Sequence, residues 1–138
     1  MKILLDTHVL LWALKGANSN GDSFPDKISS ILLNEDNEIY YSCINIFEIE
    51  IKRIAKPEIQ LPSGEELVKF CKDVGFLHLP LRYEHTLQIK SLEKDKVAEN
   101  HKDPFDWLLL SQAKFEKMTF ITHDSILKHY LEDFIVSF

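Results

Sequence analysis

Two carboxylates, Asp103 and Asp106, stand in the stretch "HKDPFDWLLL" (101–110), just ahead of an apolar run. Asp6 directly follows the apolar "KILL", Asp124 lies just beyond "TFIT", and Glu48 stands amid Ile44, Ile46, Phe47, Ile49 and Ile51. Each aspartate has a purely structural reading. Asp103 can be an N-cap with Pro104 at the first helical position and Asp106 at the third, and Asp6 and Asp124 each precede a helical segment. Glu48 is harder to explain that way, because a helix with so little polar face is expected to be largely buried, and a buried carboxylate is costly unless it is paired or binds a metal. Packed together, these acids would raise one another's pKa values and destabilise the fold unless a cation intervened. A donor set made only of oxygen suits Mg²⁺ or Mn²⁺ rather than zinc. The six histidines, His8, His78, His85, His101, His123 and His129, contain no H-E-x-x-H pattern and read as structural or surface residues.

The elements that would position these acids follow from the hydrophobic pattern. Residues 2–5, 38–42, 75–79 and 119–122 read as strands, with a fifth strand at 134–138. Segments 9–14, 28–33, 44–54, 65–74, 83–92 and 105–115 have helical spacing. Strands alternating with helices imply an α/β fold with three α/β/α layers, around a central, mostly parallel sheet of four to five strands. Ligands of such sheets bind outside the carboxyl ends of the strands, where Asp6 and Asp124 fall. The long loops are expected at 16–25 and 56–64, and the mixed-charge segment 90–103 is expected to cross the surface as a solvated stretch.

With 138 residues, the chain has the length of one ordinary domain, spanning 1–138. Its composition, 45% hydrophobic and 28% charged with four glycines and five prolines, is globular rather than disordered. Asp6 and His8 interrupt the opening apolar run, no small-x-small cleavage site follows, and no run approaches a membrane span, so a cytoplasmic protein without a membrane partner is expected. Cys43 and Cys71 form no C-x-x-C pair and read as buried free thiols. A net charge of −6 excludes a broad cationic surface, so any nucleic acid must be handled by local basic patches, metal ions or a partner.

Four segments, "LLDTHVLLWAL" (4–14), "YYSCINIFEIEIK" (40–52), "HKDPFDWLLLSQA" (101–113) and "TFITHD" (119–124), resemble in that order the signature segments of PIN-domain ribonucleases. Within that group the resemblance is to the VapC-like toxins of bacterial and archaeal toxin–antitoxin pairs, and it covers essentially the whole chain. The resemblance implies a metal-dependent endoribonuclease with Asp6, Glu48, Asp106 and Asp124 as its acids and metal ligands, and Asp103 as a supporting or alternative ligand. Thr7, Ser42, Asn45 and Thr122 fall where the family places small polar residues near the metal. One or two Mg²⁺ or Mn²⁺ ions, an RNA substrate, a cognate antitoxin seated on apolar surfaces around the first loop and helices, and a homodimer are implied as well. The expected products carry a 5′-phosphate and a 3′-hydroxyl. The chain departs from the pattern at Trp107, where close relatives commonly have arginine.

Lys52, Arg53 and Lys56, with Lys94, Lys96, His101 and Lys102, either grip the RNA backbone beside the acids or form an ordinary solvated face. Two competing functions stay open. A non-catalytic interaction module would keep the fold and bind a partner. A metallophosphoesterase would use "DTH" as a D-x-H motif, although its G-D-x-x-D and G-N-H signatures are absent.

Overall fold

The computed structural model describes residues 1–16 and 21–138. Part of the expected loop at 16–25, residues 17–20, lies outside the described residues. The strands are β1 (Lys2–Leu5), β2 (Glu38–Ser42), β3 (Leu77–Leu79), β4 (Thr119–Thr122) and β5 (Ile135–Ser137). They form one five-stranded sheet in the order β3-β2-β1-β4-β5, and every pairing in it is parallel. The helices are α1 (Thr7–Lys15), α2 (Asp26–Leu33), α3 (Cys43–Ala55), α4 (Gly64–Asp73), α5 (Tyr83–Leu87) and α6 (Pro104–Glu116).

Alternation along the strands divides the apolar residues between two layers. Ile3, Leu5, Ile39, Tyr41 and Ile121 pack with Val9, Leu10 and Leu11 of α1, Ile28 of α2, Ile49 of α3 and Leu67 of α4. Leu4 and Phe120 point the other way and pack with Leu109, Leu110 and Ala113 of α6, and with Leu127 and Tyr130. Helices therefore cover both faces of the sheet, giving the three-layer α/β/α architecture.

The order in which strands are added reverses beside β1, since β2 and β3 extend the sheet to one side and β4 and β5 to the other. Such a reversal opens a crevice at the carboxyl ends of the central strands. Helix starts are fixed there by side chains. Asp6 caps α1, Ser42 and Asn45 form a capping box at α3, and Asp103 caps α6 with Pro104 following it.

Several expectations change. The segment 83–92 is not one helix: α5 ends at Leu87 and a 3₁₀ turn, Gln88–Ser91, follows. There the Ser91 hydroxyl donates to the Gln88 carbonyl at 2.8 Å, a local bond that competes with helical pairing. Helix α3 is less covered than its sequence implies, with Phe47 53% and Ile54 78% exposed. Cys71 is buried, which pushes its thiol up to about 12, whereas Cys43 is only half-buried. The stretch 90–103 is anchored rather than simply solvated. Ala98 is fully buried, Lys94 bridges to Tyr130, and the Lys94 ammonium donates to the carbonyls of Glu99 and His101.

Candidate active site

The carboxyl ends of β1, β2 and β4 bring the acids to one edge of the sheet. Asp6 follows β1 directly and is buried; its Oδ1 accepts from the Thr7 N–H at 2.8 Å and its Oδ2 from the Thr122 hydroxyl at 2.6 Å. The Thr122 oxygen in turn accepts from the Asp124 N–H at 3.0 Å. Burial raises the pKa of Asp6, and the Thr122 and Thr7 bonds oppose that rise.

Glu48, one turn into α3, is also buried. Its Oε1 accepts from the Thr7 hydroxyl at 2.6 Å, and its Oε2 lies 3.2 Å from the Lys52 ammonium. Asn45 ties these parts together: its amide donates to the Thr7 oxygen at 3.0 Å and to the Leu5 carbonyl at 3.3 Å, while its Oδ1 accepts from the Ser42 N–H at 2.7 Å. The Ser42 hydroxyl donates to Gln112 of α6. Thr7, Ser42, Asn45 and Thr122 are fully buried, so each holds its geometry without competition from bulk water.

Asp106 completes the group from α6. Its carboxyl is driven up to about 8, first by burial and then by the negative charges of Asp6, Asp103, Asp124 and Glu48. Acids from four separate segments thus act on one another electrostatically. Asp103 is exposed and engaged as a cap, its Oδ1 accepting from the N–H groups of Phe105 and Asp106. Asp124 is exposed and accepts from the Ile126 N–H at 3.0 Å.

Sequence reasoning missed the contacts of three residues at the site, His101, Tyr130 and Gln112. His101 Nε2 lies 3.1 Å from Asp106 Oδ2, and its Nδ1 lies 2.8 Å from the Tyr130 hydroxyl. Trp107 Nε1 donates to that same hydroxyl at 2.9 Å. The Tyr130 hydroxyl thus links Trp107 to His101 and, through the His101 ring, to Asp106. Trp107 therefore does more than fill the core, and His101 is not a bystander. Gln112, fully buried, is the third; it also donates to the Pro80 carbonyl at 3.3 Å. Only the position of His101, five residues before Asp106, hinted at its contact.

The expected basic residues divide. Lys52 sits at the acids, Arg53 pairs with Glu50 at 3.2 Å, Lys102 is exposed, and Lys94 is held by carbonyls. His85 belongs to the structure alone: it is fully buried, accepts from the Arg82 N–H and contacts Glu116 at 2.8 Å.

The donors fit a hard divalent cation in kind, since all four principal ones are carboxylates whose mutual repulsion such an ion would relieve. As placed they do not close into a cage: among the described residues, no three His, Cys, Asp or Glu side chains stand together as a metal's ligands. Thr7 and Lys52 occupy Glu48, and His101 occupies Asp106. A cation would compete with these partners for the carboxylate oxygens.

The sequence pattern of the PIN domain matches residues 3–131. The chain belongs to the PIN domain family. No curated protein gives a significant match in sequence. Among solved structures, this PIN domain is similar to a chain of VapBC2 from Rickettsia felis bound to a DNA fragment from their promoter, with 18% identity, a TM-score of 0.65, and 99% of this chain and 98% of that one covered. It is similar to a chain of DNA-bound VapBC from Salmonella typhimurium, at 16% identity and TM-score 0.62, covering 99% and 98%. A third similarity is to a toxin–antitoxin complex from Klebsiella pneumoniae, at 15% identity and TM-score 0.55, covering 97% and 95%. At these identities the likeness establishes the fold. Among the described residues, no helix is long and apolar enough to cross a membrane.

Proposed function

We propose that this chain, a single PIN domain over 1–138, is a VapC-like endoribonuclease toxin of the cytoplasm, hydrolysing RNA with Asp6, Glu48, Asp106 and Asp124 as its acids. The observation that carries the reading is the convergence of acids from the ends of β1 and β4 and from α3 and α6 at one edge of the sheet, where burial and the other acids push the Asp106 carboxyl up to about 8. A fold gains nothing from such repulsion unless a cation relieves it. Asp6, Glu48, Asp106 and Asp124 would hold Mg²⁺ or Mn²⁺, with Asp103 in support. When bound, the ion supplies Lewis acidity toward the phosphodiester and the attacking water.

The protein's own residues do the positioning. Thr122 and the Thr7 N–H fix the two oxygens of Asp6, Asn45 and Thr7 fix Glu48, and His101 orients Asp106. Lys52 balances Glu48 at the edge of the acid group, where its ammonium would meet a phosphate. In the reaction the water oxygen bonds to phosphorus, the bond to the 3′ oxygen breaks, and that oxygen takes a proton, leaving a 5′-phosphate and a 3′-hydroxyl.

A cognate antitoxin is part of the same proposal, supported by the complexes in which the similar chains were solved. Its seat would be two adjoining apolar hollows sharing Leu11, one lined by Ile49, Ile51, Ala55 and Ile59, the other by Leu14, Pro62 and Phe70. The homodimer expected from the family belongs here too, and the mass of the purified chain in solution checks it.

The deciding experiment is cleavage of a mixed RNA pool by antitoxin-free protein in Mn²⁺, Mg²⁺ or EDTA, beside Asp6→Ala. Metal-dependent cutting that disappears in the variant is expected. Folded protein that binds Mn²⁺ and cuts nothing would point instead to a non-catalytic interaction module.

A further inference from the structure

A cavity of about 370 Å³ adjoins the acids and is lined by Asp6, Asp124, His8, Trp12 and His123. That volume lies near the lower end of the roughly 300–1,000 Å³ of small-ligand sites. Three of its five lining residues carry rings. His8 and Trp12, one turn apart on α1, have ring centroids 6.0 Å apart, and Trp12 meets the His123 ring edge-on at 5.4 Å. His123 is backed by the Phe138 ring at 4.7 Å. His8 and His123 are exposed, and Trp12 is half-buried.

We infer that this cavity is a nucleobase subsite, which seats an unpaired base next to the phosphate that is cut. The inference rests on the nuclease reading and adds which part of the RNA selects the site of cutting. Its first support is placement. The rings flank Asp6 and Asp124 in sequence and share one cavity with them, so a phosphate held at those acids puts an adjacent nucleotide within reach. Charge is the second. Among the described residues, no lysine or arginine lines the cavity, which therefore offers little to a phosphate but accepts a flat, uncharged base. The third is chemistry. Bases of single-stranded RNA stack on aromatic side chains, and imidazole edges provide a donor and an acceptor for their polar edges. A paired base in a duplex cannot enter, so the subsite would restrict cutting to loops and single strands.

The test uses the purified full chain. The sequence has two tryptophans, Trp12 and Trp107. The difference in emission between the wild type and Trp12→Phe therefore isolates Trp12. Both are titrated with the four RNA homo-hexanucleotides in Ca²⁺, and cut sites in an RNA pool are mapped in Mn²⁺. At least one oligonucleotide is expected to quench Trp12. Trp12→Leu should weaken its binding roughly 10-fold, the loss expected for one stacked base, with Trp12→Phe retaining most of the affinity. Base preference at one position beside the cut should flatten in Trp12→Leu and in His8→Ala. The latter alters an exposed residue and guards against a folding defect.

Unchanged binding and unchanged preference in both variants overturn the subsite while leaving the nuclease intact. Wild-type protein that neither binds nor cuts any RNA overturns both readings. Quenching by arginine amide but by none of the oligonucleotides overturns the inference in favour of a protein side chain occupying the cavity.

Discussion

Asp106 is buried and also meets the negative charges of Asp6, Asp103, Asp124 and Glu48, which together push its carboxyl up to about 8 from 3.8. The folded chain therefore binds more protons than the unfolded chain between those values, and this group's contribution to stability falls as pH rises through them. Replacing it removes the repulsion. In EDTA at pH 8, Asp106→Asn is expected to be more stable than the wild type, by on the order of a few kcal/mol, with the gap closing toward pH 4. Denaturant melts across that range measure the gap, and a variant no more stable at pH 8 would contradict the electrostatic account. In Mn²⁺ the order should reverse, because the ion stabilises the wild type and has lost a ligand in the variant. Behind Asp106, the Tyr130 hydroxyl joins His101 to Trp107. Tyr130→Phe leaves the Trp107 N–H and the His101 ring without that partner. The expected cost is about 1–3 kcal/mol of stability, together with slower turnover at unchanged KM, read from steady-state cleavage. Trp107→Arg, the residue that the family resemblance implies there, should impair this chain, because it removes the indole donor and sets a second cation beside Lys94.

Among the elements, α6 separates capping from chemistry. Asp103 bonds two backbone N–H groups at its start, whereas Asp106 faces the acids. Asp103→Ala is expected to cost about 1 kcal/mol in stability, the usual worth of an N-cap. Its Mn²⁺ affinity, measured by calorimetry, should stay close to that of the wild type; a loss as large as that of Asp106→Asn would make Asp103 a ligand. The alternation of strands and helices was legible because apolar runs and cap residues mark their own boundaries. It failed at 83–92, where the Ser91 hydroxyl turns the chain into a 3₁₀ turn, and on α3, where apolar residues such as Ile54 imply burial that no neighbouring element supplies. At the site, the meeting of the acids was legible for Asp6 and Asp124 from their positions after strands, and for Glu48 from its apolar surroundings on α3. The roles of His101, Tyr130 and Gln112 were not, since they depend on contacts across the fold: Tyr130 meets Trp107 23 residues away, and Gln112 meets Ser42 70 residues away.

For the molecule as a whole, a net charge of −6 and an acidic edge on the sheet must be reconciled with the polyanionic substrate proposed for it. Most nucleic-acid binders solve this with many cationic contacts, each releasing a counterion and steepening the dependence on salt. Here Arg53 is committed to Glu50 and Lys94 to carbonyls, which leaves Lys52, beside Glu48, as the lysine in contact with the acids. Affinity must then come from the divalent ion and from uncharged contacts such as stacked bases. A protein making one or two phosphate contacts should lose less than about 10-fold in RNA affinity between about 50 and 200 mM monovalent salt, where one making 6–10 loses about 10³–10⁵. Titration of KM against KCl at fixed Mn²⁺ measures the slope. A shallow slope is the expected outcome. A steep one would mean that cations away from the site, Lys56, Lys96 or Lys102 among them, carry the RNA, and that the acidic edge is approached along a basic path.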